Sequence, residues 1–218
     1  MGLTSFFQHE HPEPPAWLYN LMARGALARR IYQRAVADLA ASLPAGARLL
    51  DVGTGPGYLL SYLARERPDV HFWGLDLDFK MIRLARRGNP PPASLAWVVG
   101  DARALPFPDG TFHQVIVTLS YHIWPEPLVG LEEIWRTLRP GGRAWIYELK
   151  QETTAADLRV FAQEEGLPFL FVYVGFKAIS WGHAVRAEEF ARNLEQIGKS
   201  GWRLTQAHHL FWKGELKR

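Results

Sequence analysis

The middle of the chain alternates short apolar runs with amphipathic segments. Nearly continuous apolar runs predict strands at 47–52, 70–76, 95–100, 112–119 and 143–149. Apolar positions at helical spacing predict helices at 57–66, 78–87 and 126–138, with a shorter connection around 102–110. Strands that are apolar on both faces are typical of a parallel sheet covered by helices on each side. The pattern therefore predicts a doubly wound, mostly parallel α/β sheet with helices on both faces.

The two ends of the chain depart from this alternation. Apolar residues at helical spacing predict one or two helices over 16–42. After the fifth strand we predict a helix at 153–164, a strongly apolar and aromatic stretch at 167–181, an amphipathic helix at 186–198 and two short strands within Trp202–Lys217. We expect 1–46 to form a helical segment that covers the ligand site. We expect 47–218 to form one α/β domain with an aromatic insertion at about 150–185.

The first strand runs into a glycine-rich turn, Asp51-Val52-Gly53-Thr54-Gly55-Pro56-Gly57. Alternating glycines allow positive φ and close approach of a ligand to the backbone, and the next helix points unpaired N–H groups at it. A dinucleotide fingerprint requires glycine where Tyr58 lies, and a P-loop requires Gly-Lys-Ser/Thr. The carboxylate of Asp51 would repel a pyrophosphate and suits an amine. A tight strand-to-helix turn without a ligand is the alternative.

Acidic residues also end the second and third predicted strands. Asp76 lies in Gly74-Leu75-Asp76-Leu77-Asp78, and Asp101 lies in Val99-Gly100-Asp101-Ala102. An ionised carboxylate accepts two hydrogen bonds and so suits the two hydroxyls of a ribose, which favours Asp76 as a ribose partner. Helix capping is the alternative for such an acid and fits Asp78 better. A turn residue that bonds its own backbone is the alternative for Asp101.

These motifs, together with Leu131-Glu132-Glu133-Ile134-Trp135-Arg136-Thr137-Leu138-Arg139-Pro140-Gly141-Gly142, span about 47–149. They resemble class I S-adenosylmethionine-dependent methyltransferases of the small-molecule, quinone-biosynthesis type. The resemblance implies a Rossmann-like, seven-stranded sheet that ends in an antiparallel hairpin, and S-adenosyl-L-methionine as the cofactor.

The resemblance also implies how the cofactor is held. Asp51 and the glycine turn are expected at its methionine portion, Asp76 at its ribose, and Asp101 with the backbone N–H of Ala102 at its adenine. Leu77 and Met81 are expected to pack against the adenine faces. The expected cofactor-binding residues are Asp51, Gly53, Thr54, Gly55, Gly57, Asp76, Leu77, Met81, Asp101, Ala102 and Ser120.

Candidates for catalysis lie after the fourth strand. A general base is needed only if the acceptor must lose a proton. His122 and Tyr121 are the candidates, because ligands in such folds lie outside the carboxyl ends of the strands, and similar enzymes often carry histidine at the position of His122. A packed wall of the pocket is the alternative role for each. His183 and Tyr19 are more distant candidates.

One residue departs from the pattern of the resembled family, and one motif of a different class of methyltransferase is absent. His113 follows Phe112, where an acid is usual, and we interpret this change as structural. The polar-Pro-Pro-aromatic motif of enzymes that methylate amines of nucleic acids is absent at 120–125.

Composition narrows the remaining choices. The chain has no cysteine, which excludes disulfides and thiolate metal sites, and His9 and His11 have no identifiable third ligand, so we predict no metal. A net charge of +3 does not favour a nucleic-acid partner. The sequence has neither a signal-peptide pattern nor an apolar run near the roughly 18 residues of a membrane span, which predicts a cytoplasmic protein. We expect it to be a monomer or a homodimer.

The sequence thus predicts an S-adenosylmethionine-dependent methyltransferase that acts on a small, hydrophobic or aromatic acceptor. Two alternatives stay open. One is an RNA or protein methyltransferase, and the other is a cofactor-binding protein of this fold without methyl-transfer activity.

Overall fold

The computed structural model describes residues 26–88, 94–180, 184–198 and 201–218, and one sheet lies at its centre. The strands are β1 (Arg48–Val52), β2 (His71–Asp76), β3 (Leu95–Val99), β4 (Phe112–Thr118), β5 (Leu138–Lys150), β6 (Ala184–Val185), β7 (Trp202–Ala207) and β8 (Phe211–Lys217). The main order is β3-β2-β1-β4-β5-β8-β7, and β8 runs antiparallel to both of its neighbours. The predicted mostly parallel sheet with a terminal antiparallel hairpin is confirmed. The two-residue strand β6, which pairs with the end of β5, is an addition that was not predicted.

Helices cover both faces of this sheet, as predicted from strands that are apolar on both of their faces. The helices are α1 (Ala26–Ser42), α2 (Tyr58–Glu66), α3 (Phe79–Gly88), α4 (Pro127–Thr137), α5 (Ala155–Glu165), α6 (Phe169–Ser180) and α7 (Ala187–Gly198), with a 3-10 turn at Tyr121–Ile123. Helices α1 to α3 form one apolar core with the face of β1 that carries Leu49. Helices α4 and α7 form a second core with the opposite face, which carries Leu50.

A third apolar cluster lies beyond the carboxyl end of β5. It joins α5 and α6 to Leu149, Leu210 and Phe211, and Leu119 packs against it. The sequence predicts no single element for 167–181, and the structure forms α6 there. Val172 and Phe176 are buried four residues apart, as expected for one face of a helix.

Strand β5 begins at Leu138, five residues before the predicted start at 143. Leu138 pairs with Phe112, and the register then shifts, so the Pro-Gly-Gly segment is part of an irregular strand rather than only a helix stop. Arg218 closes the end of α4, because its Nη1 donates to the carbonyl oxygens of Trp135 (3.1 Å) and Leu138 (2.6 Å). This fixes the helix against the hairpin.

Some predictions lie outside the described residues. These are the first part of the helical region at 16–42, Tyr19, and His183. The expectation that 1–46 covers the ligand site therefore stays a prediction. Among the helices that the structure describes, none combines the length and apolarity needed to cross a membrane.

Candidate active site at the carboxyl edge of the sheet

The glycine turn forms a tight loop between β1 and α2. Gly53, Gly55 and Gly57 have φ values of 75°, 56° and 74°, which favour glycine at each position. The N–H of Gly53 donates to the carbonyl oxygen of Leu75 at 2.8 Å, which joins the loop to β2. A Cβ atom at Gly53 would overlap the side chain of Ser120. The turn therefore presents bare backbone at the edge of the sheet.

Asp51 is buried below this turn with incomplete hydrogen bonding. Thr54 Oγ1 donates to Asp51 Oδ2 at 2.7 Å, whereas Oδ1 is buried without a hydrogen-bond partner among the described residues. Burial raises the pKa of the carboxyl group to about 7, against the hydrogen bond from Thr54 and with a smaller contribution from the charge of Asp76. A buried carboxylate oxygen without a partner is costly, and a cationic group would satisfy it. This arrangement fits the amine that the sequence predicts.

Asp76 lies beside the same turn at the end of β2. Its Oδ2 accepts the N–H of Gly55 at 2.8 Å, and its Oδ1 accepts the N–H of Asp78 at 2.9 Å. Leu77 is 69% exposed although it is a large apolar residue, and Met81 is half-buried on the first turn of α3. An exposed apolar side chain next to a carboxylate suits a ligand with a hydroxylated part and a flat apolar part.

Asp101 is engaged by a neighbouring arginine. Arg103 Nη2 donates to Asp101 Oδ2 at 2.7 Å, and the backbone N–H of Arg103 donates to Oδ1 at 2.9 Å. The hydrogen bonds from Arg103 lower the pKa of Asp101. The second arm of the guanidinium group reaches Glu126 at 2.9 Å. These contacts belong to the turn-residue alternative, and the adenine role of Asp101, like that of the partly buried Ala102, stays a prediction.

The chain changes direction sharply after β4. Leu119 has a φ of 55°, which is rare for a residue with a side chain. Its N–H donates to the carbonyl oxygen of Tyr147 at 2.9 Å, and its side chain packs against the α5–α6 cluster. The reversal sends the buried Ser120 back to β1, where its Oγ donates to the carbonyl oxygen of Val52 at 3.0 Å. Ser120 thus contacts the glycine turn, and His122 follows it two positions later in the chain.

His122 pairs with Glu148, a residue that sequence reasoning missed. His122 Nδ1 lies 2.8 Å from Glu148 Oε2, and Glu148 Oε1 accepts the N–H of Tyr121 at 2.7 Å. The side chain of Glu148 is 0% exposed and that of His122 is 8% exposed. The available signal was an acid inside the apolar run of β5, because ionisable residues are rarely buried without a partner.

Tyr121 points into the packing between the turn and α7. Its hydroxyl oxygen accepts a hydrogen bond from Asn193 Nδ2 at 2.7 Å, and its ring packs against Phe190 and Trp124. Burial raises the pKa of the phenol to about 12. This geometry favours a packing role for Tyr121 over base catalysis. Its catalytic role stays a prediction without support from the contacts.

Within the described ranges, no group of three or more histidine and acidic side chains is arranged to hold a metal ion. In the part of the chain that the structure describes, the candidate site contains the glycine turn, Asp51, Asp76 and the His122–Glu148 pair.

Comparison with known proteins identifies relatives of this arrangement. A family model described as a methyltransferase domain matches residues 50–146. The chain is 34% identical over 157 residues to the demethylmenaquinone methyltransferase of Thermus thermophilus, an alignment that covers 70% of each chain. It is 45% identical over 97 residues to the fatty-acid O-methyltransferase of Mycolicibacterium smegmatis, which covers 44% of this chain and 35% of the relative.

Solved structures give the same fold. The crystal structure of a SAM-dependent methyltransferase from Aquifex aeolicus aligns with a TM-score of 0.69 at 19% identity, over 94% of this chain and 99% of that chain. The chain spans about half the length of many of the curated relatives it matches.

Proposed function

Since the chain belongs to the class I S-adenosylmethionine-dependent methyltransferase family, we propose that it transfers the methyl group of S-adenosyl-L-methionine to a small, apolar or aromatic acceptor. The observation that carries this proposal is the buried Asp51 beneath the glycine turn. Within the part of the chain that the structure describes, its Oδ1 has no hydrogen-bond partner, as expected for a carboxylate that accepts a hydrogen bond from the amine of a ligand.

In this proposal, residues at different strand ends bind different parts of the cofactor. Asp51 and the glycine turn would hold the methionine portion, and Asp76 would hold the ribose. Leu77 and Met81 would pack against the adenine. When bound, S-adenosylmethionine supplies a methyl group on a positively charged sulfur that leaves as a neutral thioether. The protein's contribution is then to align the acceptor and to exclude water.

The acceptor class is proposed from the surface next to the site. Helix α6 exposes Leu170 (69%), Phe171 (51%) and Val174 (58%), and it belongs to the apolar cluster against which Leu119 packs. An exposed apolar face beside a ligand site favours an apolar or planar molecule. The names of the two relatives, demethylmenaquinone methyltransferase and fatty-acid O-methyltransferase, both refer to apolar acceptors.

Calorimetry tests the cofactor part of this proposal. We expect S-adenosylmethionine and S-adenosylhomocysteine both to bind to the purified full chain, because the proposed contacts are to parts that the two molecules share. If neither molecule binds, the proposed function is refuted. Binding without methyl transfer to any acceptor would favour a cofactor-binding protein without activity.

A screen with methyl-labelled cofactor tests the acceptor part. The panel contains quinols, phenols, fatty acids, amines and total RNA, and we expect label in an apolar small molecule. Label in RNA, with activity that falls steeply as salt rises, would favour the nucleic-acid alternative.

A further inference from the structure

Two neighbouring hydroxyl groups at the carboxyl ends of β4 and β5 are buried without a hydrogen-bond partner among the described residues. They are Thr118 Oγ1 and the phenol oxygen of Tyr147, and we call them the hydroxyl pair. Thr118 is level with Tyr147 in the register of the two parallel strands, so the side chains are direct neighbours on one face of the sheet. Buried polar groups in proteins are nearly always hydrogen-bonded. Two adjacent exceptions therefore call for an explanation.

The hydroxyl pair lies on the same face of the sheet as Asp51. Leu49, Ile116 and Tyr147 all belong to the core that the sheet forms with α1 to α3. Residues two apart in a strand share a face, so Asp51 points to the side of Leu49 and Thr118 to the side of Ile116. Asp51 is level with Ile116 in the register, which places Thr118 about 7 Å nearer the carboxyl edge. The hydroxyl pair is thus next to the proposed cofactor site.

Packing within the protein does not require these hydroxyl groups. The ring of Tyr147 packs edge-on against Trp145, with 6.5 Å between ring centres, and Lys213 Nζ lies 5.5 Å from the centre of the Tyr147 ring. These contacts involve the ring and not the phenol oxygen. Phenylalanine at 147 and valine at 118 would keep the packing and avoid burying a hydroxyl group without a partner. Thr118 is only partly buried, so the hydroxyl pair lies close to the surface at the edge of the sheet.

The charges near the hydroxyl pair favour an uncharged ligand group. Burial raises the pKa of Tyr147, and the charges of Asp38 and Glu215 raise it further, so the phenol stays protonated. The nearby cation, Lys213, is already paired with Glu215 at 3.0 Å. A carboxylate beside these acids, with only neutral hydroxyl partners, would be unfavourable. A carbonyl oxygen can accept from both hydroxyls, and a hydroxyl group can donate to one and accept from the other.

We propose that Thr118 and Tyr147 bind an uncharged carbonyl or hydroxyl oxygen of the methyl acceptor, on the face of the sheet that α1 covers. This inference rests on the proposed methyl transfer. Asp51 lies on the same face and would hold the methionine portion of the cofactor, which carries the methyl group. An acceptor bound at the hydroxyl pair is therefore next to the reacting part of the cofactor. The hydroxyl pair selects an apolar molecule with a neutral oxygen over a carboxylic acid.

Urea unfolding of the ligand-free protein separates a ligand-binding role from a structural one. Tyr147→Phe and Thr118→Val remove one hydroxyl group each and leave the size of the side chain almost unchanged. We expect the urea midpoint to stay the same or to rise in both variants, because each loses a buried polar group that has no partner in the fold. A lower midpoint in either variant would show that its hydroxyl group stabilises the protein, and would overturn the inference.

Calorimetry on the full chain saturated with S-adenosylhomocysteine measures recognition of the neutral oxygen. The probes are 1-naphthol, 1,4-naphthoquinone and 1-naphthoate, which share a ring system and differ in the oxygen group. We expect the naphthol and the naphthoquinone to bind at least about tenfold more tightly than the naphthoate. Tyr147→Phe and Thr118→Val should each weaken binding of these two probes by roughly tenfold, since one hydrogen bond is lost. Equally tight binding of the naphthoate, or no binding of any probe, would contradict the proposed acceptor class.

Two control variants make the same chemical changes outside the hydroxyl pair. Tyr62→Phe alters a tyrosine of α2 that packs against the same core. Thr205→Val alters a threonine of β7 whose Oγ1 donates to the carbonyl oxygen of Lys213 at 3.5 Å. Both controls should leave the affinity for each probe within about twofold of the wild type. If they weaken binding as much as Tyr147→Phe and Thr118→Val do, the hydroxyl pair does not bind the acceptor.

Cofactor binding distinguishes failure of this inference from failure of the proposed function. If S-adenosylmethionine does not bind to the wild type, the proposed function fails, and this inference fails with it. If it binds, and Tyr147→Phe and Thr118→Val bind the probes as tightly as the wild type does, only this inference fails. Both variants should bind S-adenosylmethionine within about twofold of the wild type. A tenfold loss of cofactor affinity in either would assign its hydroxyl group to the cofactor and overturn the acceptor role.

Discussion

The buried carboxyl group of Asp51 should make the ligand-free protein less stable as pH rises. Its pKa is about 7 in the folded chain, mainly because of burial, against an ordinary value of 3.8. Between these two values the folded state binds a proton that the unfolded chain has lost, so stability falls as pH rises through this window. Above about pH 7 the loss is complete. At 1.36 kcal/mol per pKa unit it amounts to at most about 4 kcal/mol.

Urea unfolding of the wild type and Asp51→Asn at pH 4 and pH 8 measures this effect. The asparagine does not titrate, so its stability relative to the wild type should be greater at pH 8 than at pH 4 by about 2 to 4 kcal/mol. Comparing the variant with the wild type at two pH values cancels any constant cost of the new amide. The exposed Asp69, whose pKa is lowered by its hydrogen bond from Arg67, serves as a control, and Asp69→Asn should not reproduce this gain.

The same substitution should weaken binding of S-adenosylmethionine, because its amine would lose a carboxylate partner. If the free energy of unfolding of Asp51→Asn depends on pH in the same way as that of the wild type, burial does not raise the pKa of Asp51. A cofactor affinity that is unchanged in the variant would remove Asp51 from the binding site. The protein thus carries a stability cost in the free state that binding of a cation would relieve.

Three further substitutions test the site and its support. Asp76→Ala should weaken cofactor affinity by roughly tenfold or more in calorimetry, since a charged acceptor is removed, and an unchanged affinity would exclude Asp76 from the site. Gly53→Ala should abolish cofactor binding, because its φ is 75° and the new methyl group would overlap Ser120; normal binding would contradict this geometry. Arg136→Lys should lower the free energy of unfolding by about 1 to 2 kcal/mol, because lysine cannot replace a guanidinium group that bonds several partners, whereas the exposed Arg139→Lys should have almost no effect in the same urea titration.

The central fold could be predicted from the sequence because its parallel strands are buried on both faces. Each of β1 to β4 reads as a short apolar run, and the structure places each within about two residues of the predicted bounds. Helix α6 could not be assigned, because its apolar residues lie on an exposed face as well as a buried one and obscure the helical period. The early start of β5 depends on pairing with Phe112, which no local pattern specifies.

Some residues of the candidate site could likewise be predicted from the sequence, and others could not. The acids at 51 and 76 could be located because they lie at the ends of strands whose carboxyl ends share one edge of the sheet. The pairing of Glu148 with His122 could not be predicted, because the two residues are 26 positions apart in the chain and only the folded sheet brings them together. The left-handed conformation of Leu119 carries no sequence signal either, because leucine normally avoids it.

The indole of Trp97 links the glycine turn to the rest of the sheet. A Cβ atom at Gly57 or at Gly74 would overlap its six-membered ring. The absence of a side chain at Gly57 is thus required by packing as well as by its φ of 74°. Among related chains, glycine at 74 should accordingly change together with the residue at 97: a smaller residue on β3 would admit alanine on β2, and tryptophan would forbid it. The edge strand, which carries no expected ligand contact of its own, limits which residues the turn and β2 can accommodate.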